Sequence, residues 1–362
     1  MGQHIKRGMK ALRVGFVPLC DCAPLIMARE LGLFERYGLD VKLSREIGWA
    51  TLRDKLLYGE LDAAHALAPM IFAATLGLES AIVPCLTGLV LNLHGDAITL
   101  SASLCGEPDD RDDWREHLLA SKERLVFGIP FLYSAHHFVA RTWLRGLGAN
   151  VANRTQFVVV PPPQMPENLR AGHLDGYCVG EPWNSLAVLA GSGRIVASSA
   201  EIAPLHPEKI LMVRADFARN RSSEHELLIA SLIEACRYCD QSRNRGAITE
   251  TLARREFLNV PPDALRLAFG QADDKQATDR HKDFTIFAHD NANEPSGRKA
   301  AWVIENLRHS GLCRDSSALD FALAKRVFRN DIFQRALRLC EPANLGINHE
   351  NESRNEAVAL PI

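Results

Sequence analysis

Gly59-Glu60-Leu61-Asp62-Ala63, running on to Pro69, and Gly172-His173-Leu174-Asp175-Gly176, running on to Pro182, carry the same pattern at an offset of 113 residues. Leu12-x-x-Gly15 and Leu125-x-x-Gly128 repeat at that same offset. Gly, Leu and Asp are common residues, so one match alone would be generic. Several matches at one offset argue instead for a duplicated unit, and hence for two lobes.

Working outward, each copy reads as strand, helix, strand, helix, then a short strand. The first has LRVGFVP, a helical pattern over 23–34, a strand at 41–43 and a helix over 51–58. The second has LVFGIP, helical 137–147, FVVV at 157–160 and helical 166–171. Strands alternating with amphipathic helices predict an α/β fold with parallel sheets. Gly59 and Gly172 each follow a helical turn, where a residue at positive φ ends the helix at little cost. The Leu-Asp step then opens a buried strand whose C-terminal end faces a cleft, the usual ligand position in open α/β sheets. Crossovers between the lobes are expected near 97–101 and 205–213. The resulting organisation is 11–97 as the first part of lobe 1, 98–207 as lobe 2, 208–343 as a helical return to lobe 1, and 344–362 as a flexible tail. Helices are expected over 224–242, 247–257, 264–269, 299–310 and 318–339. The polar stretch between Gln271 and Arg298 has a length usual for functional or mobile loops.

The 362 residues are 47% hydrophobic and 24% charged, with 42 Lys plus Arg against 44 Asp plus Glu. That balance gives no global attraction to nucleic acid or an anionic membrane, so any anion site must be local. The nine cysteines are odd in number and scattered through core-like segments, which suits a reducing compartment. No apolar run approaches the roughly 20 residues of a membrane helix. The opening MGQHIKRGMK leads straight into the first strand rather than into an export signal, so a cytoplasmic location is expected.

Residues 20–69, from CDCAPLIMARELGLF to HALAP, resemble the nitrate- and bicarbonate-binding proteins of the NrtA/CmpA type. The resemblance continues through LNLHGDAITLS (91–101), VVVPPPQM (158–165), DGYCVGEPWN (175–184) and HPEK (206–209), and covers roughly residues 11–270. It implies a type II periplasmic-binding-protein fold, two hinged lobes around a central ligand cleft. It also implies, through the cytoplasmic relatives of the NasS type, a nitrate/nitrite sensor that holds an RNA-binding antiterminator partner of the NasT type until ligand arrives. The alternative is the substrate-binding component of an ABC importer for the same class of anion. No cofactor is implied.

The resemblance assigns five residues to the ligand. Lys209 stands where nitrate binders carry a lysine and bicarbonate binders an acidic residue. Its replacement by alanine is expected to abolish the ligand response and leave folding intact; the plainer reading of such a lysine is a solvated surface charge. His136 matches a histidine at the start of the second lobe's first helix, where a ring nitrogen and backbone amides face an anion. Neighbouring His137 leaves the register between the two open. Trp49 offers an indole N–H, a donor with no acceptor function, or else packs in the core. Gly180 allows close backbone approach, or is a turn before proline. Asp96 is discordant, because an amide is expected there and an ionised carboxylate repels nitrate. It turns away, stays protonated in a dry cleft, or pairs with Lys209.

Two other chemistries are open to the sequence. Cys20 or Cys22 with His65 could form the Cys/His pair of an enzyme of the same fold. Cys236-x-x-Cys239 has metal-like spacing, but it sits in a helical stretch without a second pair, and packing is the better reading.

Overall fold

The computed structural model describes residues 10–105, 113–120, 123–271, 283–313 and 315–340. Eleven strands among them form two sheets. They are β1 (Leu12–Phe16), β2 (Val41–Arg45), β3 (Ala63–Leu67), β4 (Cys85–His94), β5 (Asp96–Ser101), β6 (Leu125–Ile129), β7 (Thr155–Val159), β8 (Gly176–Gly180), β9 (Gly193–Ser198), β10 (Pro207–Arg214) and β11 (Thr285–Ile286). One sheet runs β11-β4-β10-β3-β1-β2 and the other β7-β6-β8-β5-β9. The protein is therefore α/β, with two lobes of the type II periplasmic-binding-protein kind.

The repeat acquires a physical meaning in these sheets. β1 pairs in parallel with β2 and β3, and β6 pairs in parallel with β7 and β8. Gly59 and Gly172 both take positive φ, +81° and +75°. The Asp62 carboxylate accepts from the backbone N–H of Arg13 at 2.9 Å, and Asp175 accepts from that of Val126 at 2.7 Å. Each aspartate thus ties the last strand of its unit to the start of the first. The strand glycines answer the leucines: a Cβ on Gly15 would lie 2.5 Å from Leu61 Cδ1, and one on Gly128 would lie 3.0 Å from Leu174 Cδ1.

The chain crosses between lobes at Gly95 and again just before Pro207. The first crossing differs from the expected 97–101, because Asp96 and Ala97 already pair with Gly180 and Val179 inside the second sheet. The turn belongs to Gly95, at φ +104°. The expected helix over 23–34 is interrupted at left-handed Gly32. That over 318–339 is interrupted at Phe328, which leaves helical geometry to bridge Thr87 on β4, followed by a hydrogen bond from Arg329 N to Thr87 O. From Asp283 onward the segment expected as a long loop is pinned: the Asp240 carboxylate accepts from the backbone N–H groups of Phe287, Ala288 and His289. The expected tail at 344–362 lies outside the described residues. No helix among the described residues is long and apolar enough to cross a membrane.

Candidate functional site

The two lobes meet over a set of buried polar side chains. A short turn after β1, Cys20–Cys22, brings Asp21 to the meeting surface. Extended Gly48 precedes the helix Trp49–Leu57, which puts Trp49 in its first turn. His65 projects from β3, Asp96 opens β5, Gly180 ends β8, and Glu208 and Lys209 lie on β10. His136 comes from the helix Ala135–Leu147, whose first turn is fixed by Ser134 accepting from the backbone N–H of His137.

All five residues expected to hold ligand lie in or beside this set. Lys209 has 0% exposure, and its Nζ lies 2.7 Å from Asp21 Oδ2 and 2.8 Å from Glu208 Oε1. It is no surface charge, and Asp96 is not its closest partner. Asp96 Oδ1 instead faces His136 Nε2 at 2.9 Å, while His136 Nδ1 lies 3.3 Å from Glu208 Oε1. Trp49 is buried with its indole N–H unpartnered, and Lys209 Nζ sits 5.5 Å from the centroid of its ring. A cation over an indole face is an attractive contact. Gly180 pairs with Asp96 across the sheet, and a Cβ there would lie 2.8 Å from Leu19 and 3.5 Å from Asp96 Oδ1. His137 points elsewhere, its Nδ1 2.9 Å from Leu132 O.

Burial and charge compete over the protonation of this cluster. Burial alone would raise the carboxyl of Asp21, but Lys209 and His65 overcome it and hold the group well below the usual carboxylate range. Burial would lower the Lys209 ammonium, yet Asp21, Glu208 and Asp96 together raise it and keep it charged. For Asp96 burial prevails, and its pKa is raised despite Lys209. Burial also lowers His136 to about 4. The 2.9 Å spacing of His136 and Asp96 would suit an ion pair, but burial favours the neutral form of both, so we read it as a neutral contact.

The family model of the NMT1-like family matches residues 6–253. The chain belongs to that family. Among NMT1-like relatives, the nitrate/nitrite binding protein NrtA of Nostoc sp. is 30% identical over 340 residues, covering 90% of this chain and 76% of its own length. The nitrate import ATP-binding protein NrtC of Synechocystis sp. is 33% identical over 355 residues, or 94% of this chain and 52% of that protein. The bicarbonate transport ATP-binding protein CmpC of Synechococcus elongatus is 35% identical over 304 residues, 83% of this chain and 45% of that protein. The chain thus spans about half the length of the last two. The crystal structure of the periplasmic nitrate-binding protein NrtA from Synechocystis superposes with a TM-score of 0.81 at 27% identity, covering 91% of this chain and 89% of that one.

Within this NMT1-like site, sequence reasoning missed Asp21, Glu208 and His206. Glu208 and Lys209 are consecutive in a strand, so simple alternation sends them to opposite faces. The pairing of β10 with β4 shifts register on both sides of Lys209, and such an irregularity re-aims side chains. Both consequently reach the buried cluster. The signal was the whole string 206–209, of which only the lysine had been weighed. The Cys/His pair does not form: His65 Nε2 lies 3.2 Å from Asp21 Oδ1, and burial raises the pKa values of the Cys20 and Cys22 thiols. Cys236 and Cys239 are buried in the core, Cys236 Sγ donating to Leu91 O at 3.5 Å.

Proposed function

We propose that this protein is a two-lobed receptor that closes on a small oxyanion, nitrate or nitrite, and reports it without transforming it. The observation that carries this reading is the pair formed by the charged, buried Lys209 and the unpartnered indole N–H of Trp49. A planar acceptor-only anion needs such a charge and such donors in a dry site. Asp96 fits once protonated, as its raised pKa favours, because a carboxylic acid donates a hydrogen bond much as an amide would. The names of the NrtA relatives support nitrate or nitrite.

The finer part of the proposal is regulatory. Closure changes the rim of the cleft, and an RNA-binding antiterminator partner in the cytoplasm responds to that change; a ligand shifts such an equilibrium only through its preference for the closed form. The nine unpaired cysteines support a reducing compartment. A second reading, the solute-binding part of an importer for the same anion, is favoured by the import ATP-binding relatives. Calorimetric titration with nitrate, nitrite, bicarbonate and formate tests the ligand: one-to-one binding led by nitrate or nitrite is expected, and silence with all four overturns the reading. Co-purification with the antiterminator, released by nitrate, tests the regulatory part. A complex indifferent to nitrate removes it.

A further inference from the structure

We propose that the meeting surface also forms a site for one divalent first-row transition-metal ion, held by Asp96, His136, Glu208 and Nε2 of His206. The inference stands on the geometry of this cluster alone and does not depend on the oxyanion reading. One ligand-type atom from each of Asp96, His136 and Glu208 lies within 4.8 Å of the others, and all three residues are buried. His206 approaches from the crossing segment, its Nε2 3.5 Å from Glu208 Oε2 and 4.0 Å from Asp96 Oδ2. A tetrahedral site with bonds of about 2.0–2.2 Å has ligand-to-ligand edges of roughly 3.3–3.6 Å. From His206 Nε2, the spacing to Glu208 Oε2 of 3.5 Å falls in that range and the spacing to Asp96 Oδ2 of 4.0 Å lies just outside it.

The orientation of His206 is the second observation. Its Nδ1 lies 2.7 Å from Ala203 O, an oxygen that can only accept, so Nδ1 donates there and Nε2 is the ring nitrogen turned toward the cluster. The ring is held against Trp302, with centroids 5.0 Å apart. That nitrogen faces the carboxyl groups of Glu208 and Asp96, at 3.5 and 4.0 Å. Nε2 of His206, both nitrogens of His136, both oxygens of Asp96 and Oε2 of Glu208 are all buried without a hydrogen-bond partner among the described residues. Buried polar atoms without partners are rare and call for an explanation such as an ion.

Charge and ligand type agree with this assignment. Asp21 offsets Lys209 at 2.7 Å, and a divalent ion would displace the proton that burial favours on Asp96, so that Asp96 and Glu208 together match its charge. Lys209, through Glu208 Oε1, and Ala203 O, through His206 Nδ1, are the outer partners that orient metal ligands. Imidazole nitrogens mixed with carboxylates suit zinc and its first-row neighbours, whereas calcium and magnesium take oxygen.

The test is titration of the EDTA-dialysed full-length chain with Zn2+, followed by calorimetry, with Ca2+ as a comparison and Co2+ absorption as a report on coordination. We expect one Zn2+ per chain, little response to Ca2+, and a visible Co2+ spectrum. Asp96→Asn should weaken Zn2+ by about 100-fold or more. Cooperative melting of the variant shows that it folds. His289→Ala removes the exposed imidazole beside Asp240 and Asp283 and should leave Zn2+ binding as it is. Absence of Zn2+ binding to the wild type, or binding that Asp96→Asn does not alter, overturns the site. Zn2+ binding with no response to nitrate upholds it and removes the oxyanion reading; nitrate binding in EDTA with no Zn2+ response does the reverse.

Discussion

Lys209 is charged without touching water, and its two carboxylate partners determine what its removal does. The expectation that Lys209→Ala leaves folding intact does not survive the structure, because Asp21 and Glu208 would be left buried and uncompensated. Breaking a buried pair in this way costs about 3–5 kcal/mol, so urea unfolding should show a marked loss of stability. Trp49 is the cleaner probe of ligand contact. Trp49→Phe keeps an aromatic ring and removes a donor that has no hydrogen-bond partner among the described residues. Melting should be nearly unchanged, while nitrate affinity falls by about 10-fold or more, the worth of a hydrogen bond to a charged group. Legibility followed the same division. Trp49, Lys209 and His136 could be read from the sequence because each is the expected donor type within a recognisable string. Asp21 could not, since its role depends on meeting Lys209 and His65 from other strands, whereas Glu208 and His206 stand beside Lys209 in the string 206–209 without being donor types expected for an anion.

At the scale of elements, the repeat was legible because its residues act within one unit at short range. Gly15→Ala would drive a Cβ to 2.5 Å from Leu61 Cδ1. Overpacking of this kind costs about 1–3 kcal/mol, and the denaturant midpoint should fall accordingly. Helix ends were less legible: the break at Phe328 arises from pairing with Thr87, some 240 residues away in sequence, and not from any local signal. The helix Ser222–Cys239 buries His225, whose pKa is lowered to about 4, first by burial and then by Arg335 and Arg329. An imidazole neutral in the fold penalises acid. Above pH about 6.5 both states are neutral, and as pH falls from there toward about 4 the unfolded chain takes the proton first and stability is lost. In His225→Leu the stability difference between pH 7 and pH 4.5 should therefore shrink by about 2–3 kcal/mol, read from urea unfolding at each pH.

Across the whole molecule, the lobes are joined by more than the cluster. Cys20 N donates to Glu181 O at 2.7 Å, and Trp183 Nε1 to Pro18 O at 3.0 Å. Trp183→Phe deletes a bond made only when the lobes meet. A net hydrogen bond of about 1 kcal/mol corresponds to roughly fivefold weaker anion binding, and small-angle scattering should record a larger radius of gyration without ligand. A variant with unchanged affinity and dimensions would show that this bond does not favour closure. The crossing strands also set the mechanics. Asp96 follows Gly95 directly, Glu208 and Lys209 lie on the returning strand and His206 immediately precedes it, with His94 N bonded to His206 O. The seat proposed for the anion is therefore built on the axle. Displacement grows with distance from an axle, so a few tenths of an ångström in the girth of the guest is magnified at the outer edges. Two ions bound equally well could be told apart by how widely they prop the shell.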